Sequence, residues 1–569
     1  MAGEFEVLGT NAAALFTLKI HRGDGMALLA MNWKNGEPPA DFVGFAMEYR
    51  EPDGDRFFAL KNRLGFPGPG GKVDPSRLTT LQSPIQKFRW VHFPRNAELA
   101  GAFTYRVAPV FMNASDELSF GEPQVAALEL RRETFPGVLN IAFTRGFVAS
   151  QAFVDRYQSA GDISTLLPSL AAKGLTFVPT HPKAEEALAW MGFEARNAIL
   201  ETLDQALADE TAKVRVIAYD LNEPGIVSRL EKMGSRLMVI IDDSADHGAA
   251  DSAESSAATR LRTSAGQDNV KRQHMSSLQH NKTIVVDGES IRKVVCGSTN
   301  LSWRGFFVQN NNAMILQGDS AVGMFSAAFD AYWNEQDTFR QSPSAHLTAL
   351  DLSGIDAQVA FSPHSQNNAL LAKIGNDIAT GVTSSLFFSL AFLHETPGAV
   401  RDAIEKIAGD DAIFMCGVSD KKVGGLDVQK PDGDVAHVSF SALSKNVPEP
   451  FSKEPAAGHG ANMHHKFVVI DFDKPSARVY FGSYNFSSPA DLKNGENLLL
   501  IRDRRVAVSY MIEALRIFDH YLFRVLQADA TKARRQLVLA RPPRAPGDKP
   551  WFDEDFTDAR KIRDRELFA

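Results

Sequence analysis

Hydrophobic positions alternate with polar ones over the first 130 residues, as in Phe16-Thr-Leu-Lys-Ile20, Phe45-Ala-Met-Glu-Tyr49 and Phe103-Thr-Tyr-Arg-Val107. Every second side chain on a strand shares a face, so a two-residue period predicts strands with one buried and one outward face. Turn-rich spacers separate them, Pro67-Gly-Pro-Gly-Gly71 among them. Short alternating strands between such turns predict a β-sandwich over 1–130.

The period then changes. An amphipathic helix is predicted over 194–208, a strand over 214–219, a helix over 225–233 and a buried strand over 237–241. The same succession returns at 370–378, 385–393, 399–407 and 412–418. Helices alternating with strands predict α/β layers around a mixed sheet. NEPGIVSRLEKMG and ETPGAVRDAIEKIAG align at Pro224-Gly225 and Pro397-Gly398, 173 positions apart. Phe329-Asp330-x-Tyr332 and Phe518-Asp519-x-Tyr521 align at a separation of 189. Matches kept in order at a nearly constant offset mean a duplicated unit, here one half over 131–345 and a second over 346–569 with a C-terminal tail.

Between these matches lies a duplicated signature, His-x-Lys-x-x-x-x-Asp followed by Gly-Ser-x-Asn. The first copy is His280, Lys282 and Asp287, then Gly297, Ser298 and Asn300; the second is His464, Lys466 and Asp471, then Gly482, Ser483 and Asn485. Residues 283–286 and 467–470 are β-branched or aromatic runs suited to buried strands. On a strand begun at the histidine, His and Lys share a face, whereas each Asp, an odd seven positions on, points elsewhere and reads as a supporting group. Gly-Ser-x-Asn offers a tight turn and two short polar side chains that can bind an oxyanion or hold the lysine. A phosphodiester resists attack because its oxygens are negative. Cleaving it needs charge neutralisation, a nucleophile and a proton for the leaving oxygen. Two imidazoles with ordinary pKa values near about 6.5 can divide the last two tasks, and the lysines and asparagines can meet the first.

Along QHNKTIVVDGESIRKVVCGSTNLS and MHHKFVVIDFDKPSARVYFGSYNFSS the chain resembles the phospholipase D superfamily. The resemblance implies two similar α/β/α lobes sharing one active site, with His280 as the nucleophile that forms a phosphohistidine and His464 as the acid that protonates the leaving group. It also implies that Glu496, in Asn494-Gly-Glu496-Asn497, fixes a catalytic imidazole; in the first half Asn312 of Asn310-Asn-Asn312-Ala stands for the acid. Either histidine can be the partner of Glu496, its own half's His464 or the opposite His280, and a solvated strand-edge acid is the competing reading. In the N-terminal segment, GAFTYRVAPVFM and GEPQVAALEL with Trp33 upstream resemble a fibronectin type III module.

Composition narrows the setting. The chain has 569 residues, 44% hydrophobic and 23% charged, the balance of a soluble globular protein of about three domains. A net charge of −8 gives no global attraction to nucleic acid or anionic membrane, so any such contact is local. Cys296 and Cys416 sit in apolar strands and read as buried thiols. His465, His459 and His274 do not form a metal-ligand pattern, so no cofactor or metal is expected. MAGEFEVLGTNAAALF lacks a basic start, and no apolar run spans a bilayer, which makes cytoplasmic the default location.

Two insertions precede the motifs. One, 242–272, is rich in Ser, Ala and Asp and carries Arg260, Arg262, Lys271 and Arg272; its low hydrophobicity predicts mobility. The other, 421–462, carries Lys421, Lys422, Lys430, Lys445 and Lys453 among Gly and Pro. Together they are expected to form a lid or basic rim. A helix is predicted over 507–526, then an Arg- and Pro-rich tail anchored by Trp551 and Phe568. Phospholipid is the favoured substrate, chiefly because the resemblance implies that two motifs in a single chain are typical of phospholipases; Leu301, Trp303, Phe306 and Phe307 are expected to supply some apolar surface beside the site for peripheral membrane contact. Nucleic acid is the alternative substrate, and a phosphate-binding adaptor without catalysis the third reading.

Overall fold

The computed structural model describes residues 5–130, 133–146, 150–391, 393, 398–421, 425–431, 435–439 and 463–569. Most of the insertion 421–462, with Lys422, Lys445, Lys453 and His459, lies outside the described residues.

Two antiparallel sheets form the N-terminal segment. One orders Glu6–Leu8, Phe16–Gly23, Met26–Trp33 and Arg89–His92; the other orders Phe58–Ala59, Phe42–Arg50, Ala102–Met112 and Leu118–Phe120, with Gln124–Glu129 also paired to Ala102–Met112. Their facing side chains, among them Phe16, Leu18, Phe45, Phe103 and Tyr105, bury into one shared core. The run MALLAMNW breaks the alternation because Met26–Trp33 is covered on both faces. Ala27, Leu29 and Met31 enter the shared core, while Met26, Leu28 and Ala30 pack into the core of the larger body. Gly44 sits at a bulge with φ +123°, where a Cβ would stand 2.6 Å from the Ile85 carbonyl oxygen, so only glycine fits.

The body contains two large mixed sheets of matching order. In the first, Leu139–Phe143, Asn312–Gln317, Arg292–Gly297, Lys282–Asp287, Lys213–Ala218 and Leu237–Ile241 lie side by side. In the second, Ile355–Ser362, Glu496–Arg502, Arg478–Gly482, Lys466–Ile470, Ser385–Leu390 and Phe414–Lys421 take the corresponding places. The senses match too. Each motif strand is antiparallel to the strand that follows it in that order, Lys213–Ala218 or Ser385–Leu390, and each of those is parallel to the next. The predicted helices appear at Pro224–Met233, Leu371–Gly381 and Ala399–Ala408; the first predicted helix begins earlier, in Ala184–Ala208, with a break at Phe193 (φ +46°). Helix Arg504–Lys532 is longer than expected and buries Val506, Tyr510, Leu515 and Phe518.

The insertion 242–272 differs from expectation. It carries helix Ala253–Ala265, capped by Ser252, whose Ala257, Ala258 and Leu261 are buried. Alanines at helical spacing supply an apolar stripe that low average hydrophobicity conceals. Three of its four cations are used internally: Arg260 pairs with Glu231 at 2.7 Å, Lys271 donates to the Trp333 carbonyl at 2.6 Å and Arg272 to the Asp242 carbonyl at 3.0 Å. They do not form a basic rim.

The tail returns across the molecule. Trp551 Nε1 donates to the Phe42 carbonyl at 3.1 Å and Phe552 enters the N-terminal core. Phe568 stacks on Phe472, with ring centroids 5.5 Å apart. Both cysteines are buried free thiols. Among the described residues, no helix is long and apolar enough to cross a membrane.

Candidate active site

Each motif strand begins at its lysine, leaving His280 and His464 just ahead of a strand. Parallel bridges between Gln279 and Gly495 and between Asn310 and Met463 tie the residue before each histidine to the opposite sheet. The two sheets thereby meet at the starts of these interior strands, and the imidazoles approach each other with centroids 6.4 Å apart and planes inclined at 68°. Each histidine is only 5% exposed.

The two imidazoles are held differently. His280 Nδ1 meets Glu496 Oε2 at 2.7 Å, and Asn494 Nδ2 donates to the other carboxylate oxygen at 3.2 Å. The reach is across the sheets, which selects His280 from the two partners open for Glu496 and removes the solvated reading, since Glu496 is fully buried. A carboxylate on Nδ1 keeps the proton there and leaves the Nε2 lone pair for the cleft. His464 Nδ1 meets Asn311 Oδ1 at 2.8 Å and the Ser298 carbonyl at 3.2 Å. Asn311 Nδ2 donates to the Gly305 carbonyl at 2.9 Å, which turns its oxygen to the ring. The counterpart of Glu496 is thus Asn311, not Asn312. Strand register explains the shift: Ala313 pairs with Gly297 as Leu498 pairs with Gly482, one residue from the sequence alignment. Asn312 and Asn497 instead reach the residues after the histidines, Asn312 Nδ2 lying 3.3 Å from His465 Nδ1 and Asn497 Nδ2 donating to Asn281 at 2.9 Å.

Lys282 Nζ donates to the His280 carbonyl at 2.6 Å and Lys466 Nζ to the His464 carbonyl at 2.7 Å, so each lysine folds back on its own motif at the cleft. Ser298 Oγ donates to Asn311 Oδ1 at 2.9 Å and accepts from the Asn312 amide at 3.0 Å; Ser483 accepts from the Asn497 amide at 3.0 Å. Both serines brace the hairpins that carry the histidine partners. Asn300 Nδ2 donates to Asp220 at 2.7 Å, while Oδ1 of Asn300 and of Asn485 has no hydrogen-bond partner among the described residues.

The motif aspartates part company. Asp287 ends its strand roughly 20 Å of extended chain from His280, half-exposed and 3.6 Å from Arg292. Asp471 is fully buried with φ +52° and accepts from the amides of Thr383, Ser384 and Ser385. It anchors the start of strand Ser385–Leu390, outside the cleft.

Burial lowers the pKa of both histidines, His464 the further. Glu496 opposes the fall at His280, whereas Lys466, Lys282 and His280 add to it at His464. Burial also pushes Lys282 down to about 8, against the pull of Glu496, Asp220 and Asp242. Both imidazoles are therefore biased toward the neutral form in the free protein.

Sequence reasoning missed the group behind the first motif. Asp242 Oδ1 accepts the Gln279 amide at 2.7 Å and its Oδ2 meets His247 Nδ1 at 2.9 Å; His247 Nε2 lies 3.1 Å from Asp220. Although burial opposes it, bonding to Asp220 and Asp242 raises the His247 pKa to about 10. Tyr219 lies between in edge-to-face contact with both rings, its centroid 4.7 Å from His280 and 4.5 Å from His247. Tyr219-Asp220 directly after a predicted strand was the available signal. Ligand atoms of Asp220, His247 and Glu254 lie within 4.8 Å of one another, but Glu254 Oε1 accepts the Leu221 amide and the other atoms hold each other. His465 points away from the cleft, its Nε2 on Glu513 Oε1 at 2.8 Å, and Glu513 is held by Arg516 Nε at 2.6 Å. His274 is exposed and bound to Asp243. Leu301, Trp303, Phe306 and Phe307 are buried, so they offer no surface to a bilayer; Trp303 instead donates to the Gly174 carbonyl at 2.9 Å.

Residues 195–333 and 432–518 match the family described as cardiolipin synthase, PLD-like domain. Over these two stretches, which contain both motif histidines, the chain is similar to that family. A phospholipase D of Rickettsia prowazekii is 46% identical over 48 residues, 8% of this chain and 22% of that relative. The match thus spans about a fifth of that relative's length. Among solved structures, the phosphatidylserine synthase of Haemophilus influenzae is 13% identical, with a TM-score of 0.41 over 60% of this chain and 92% of its own. The phospholipase D family member Nuc of Salmonella typhimurium is 22% identical, with a TM-score of 0.20 over 25% and 88%.

Proposed function

We propose that this protein is a phosphodiesterase of the phospholipase D type, and that two lobes, 131–345 and 346–569, form its catalytic body behind a fibronectin type III-like β-sandwich over 1–130. The observation that carries the reading is the pair of facing imidazoles with unlike partners, Glu496 on one and Asn311 on the other. His280 Nε2 attacks phosphorus and the P–O bond to the leaving group breaks as His464 Nε2 delivers a proton to that oxygen. Glu496 stabilises the positive charge of the phosphohistidine ring. The neutral His464 then takes a proton from water as its oxygen attacks phosphorus, and His280 departs with its bonding pair. The Lys282 and Lys466 ammonium groups, drawn from their carbonyls, neutralise the equatorial oxygens. The phosphodiester's own charge favours protonation of His464, which burial disfavours.

Phospholipid is the favoured substrate, supported by the names of the matching family and of the Rickettsia relative. The family's description as a synthase supports a second reading, transfer to an alcohol in the place of water. The test is hydrolysis of a chromogenic phosphodiester by wild type, His280→Ala and His464→Ala, with acid-quench trapping of phosphoprotein. Each variant should lose at least about 10³-fold, and His464→Ala should retain label from a substrate with a good leaving group. Activity surviving either substitution overturns the roles. Parallel assays on phosphatidylcholine vesicles, cardiolipin, single-stranded DNA and duplex DNA, with and without an added alcohol, separate the substrates; an inactive wild type would favour the adaptor.

A further inference from the structure

A second cavity, of about 550 Å³, opens where the N-terminal sheets meet the body, and it shares no lining residue with the histidine cleft. Its wall carries six cations, Arg63, Lys87, Arg95, Arg145, Arg156 and Arg516, against one acid, Asp519. That excess stands out in a chain whose net charge is −8. Some of it is neutralised: Lys87 pairs with Asp519 at 3.1 Å, Arg516 with Glu513, and Arg156 with Glu186 at 3.5 Å. Arg63, Arg95 and Arg145 have no ion pair among the described residues.

Arg145 is the telling member. It is 9% exposed, and its Nε has no hydrogen-bond partner among the described residues. Its guanidinium lies 4.1 Å from the ring centre of Phe193, 4.5 Å from Trp190 and 5.4 Å from Phe93. Burial and the neighbouring Arg516 push its pKa down to about 9 despite Glu194. Stacking on aromatic faces offsets only part of the cost of burying a cation without a hydrogen-bonded acceptor. Trp90, Phe93, Trp190 and Phe523 supply flat apolar walls beside the cations. The volume is that of a small-molecule site, and domain junctions are where such sites form.

We propose that this cavity binds a phosphate monoester carried on an aromatic or aliphatic body, with Arg145, Arg95 and Arg63 gripping the phosphate and the aromatic wall taking the body. The inference is independent of the chemistry assigned to the histidine cleft. Arginine suits the task because its planar fork meets phosphate oxygens two at a time while its face stays on the rings.

The experiment titrates the full chain with adenosine monophosphate, dihexanoyl phosphatidic acid and inorganic phosphate, following tryptophan fluorescence and heat. At least one organic probe should give a saturable change, at least tenfold tighter than inorganic phosphate, with Trp190→Phe losing most of the signal. Arg145→Gln should weaken binding at least tenfold, and Arg95→Gln, at an exposed position that tolerates substitution, at least threefold. Hydrolysis of the chromogenic phosphodiester by Arg95→Gln should stay within twofold of wild type. Whichever organic probe binds more tightly identifies the body as nucleoside or acyl chain. No saturable signal from either, inorganic phosphate binding as tightly, or an affinity unchanged in Arg95→Gln overturns the proposal.

Discussion

The Glu496 carboxylate meets the Nδ1 of His280 at 2.7 Å across 216 residues of chain, and among the described residues none before Glu496 makes that contact. Glu496→Gln keeps the shape but allows the wrong tautomer and withdraws charge from the proposed phosphohistidine. It should lower kcat/KM for a chromogenic phosphodiester by about 10²–10⁴-fold, with the fold intact by circular dichroism. A loss under tenfold would detach Glu496 from the reaction.

Asn311→Asp places a carboxylate on His464 Nδ1. An added negative charge favours the imidazolium, so the pKa of His464 rises and the alkaline limb of the kcat profile should move up by about 1 pH unit or more. A limb that stays in place would mean that another group is the acid.

Lys282 loses its charge in the free protein as pH rises through about 8, because burial has lowered its pKa. Below that pH the ammonium is present to meet an anion, and above it is absent. The kcat/KM profile should therefore fall on the alkaline side of about 8, and Lys282→Arg should carry that limb to higher pH at reduced activity. An unmoved limb would assign it elsewhere.

The two motif aspartates should separate in unfolding experiments. Asp471→Ala strands three backbone amides and leaves alanine at positive φ, which should destabilise by about 3–5 kcal/mol. Asp287→Ala, half-exposed beside Arg292, should change stability by about 0.5 kcal/mol or less. Equal effects on urea midpoints would contradict the burial difference.

Asp242 ties the Gln279 amide to the His247 imidazolium. Asp242→Ala removes the acceptor of a buried amide next to His280 and leaves His247 with Asp220 alone. A destabilisation of about 2–4 kcal/mol is expected, with kcat reduced more than KM is changed. An unaltered denaturation curve would show that the network is dispensable.

Much of this was legible one-dimensionally. His280, Lys282, His464 and Lys466 stood out because a fixed spacing repeats, and the strand runs beside them announced burial. The partner of His464 was misassigned by one position because register, not alignment, sets which of Asn310, Asn311 and Asn312 turns to the ring. Leu301, Trp303, Phe306 and Phe307 read as surface because an apolar run after a turn is ambiguous until its covering elements are known. The insertion 242–272 read as mobile because alanine contributes little to average hydrophobicity, yet an alanine face packs closely.

By itself the sequence determined the local matters: strand and helix periods, the duplication, and the chemistry each motif side chain can offer. Those follow from neighbours a few residues apart, through backbone sterics and the burial of one face. Which histidine receives Glu496, how Asn311 turns its oxygen to the other, and how six cations gather in a cavity at the domain junction were decided only by tertiary structure. Each depends on groups hundreds of residues apart brought within a hydrogen-bond length, and the packing that does so is a property of the whole chain.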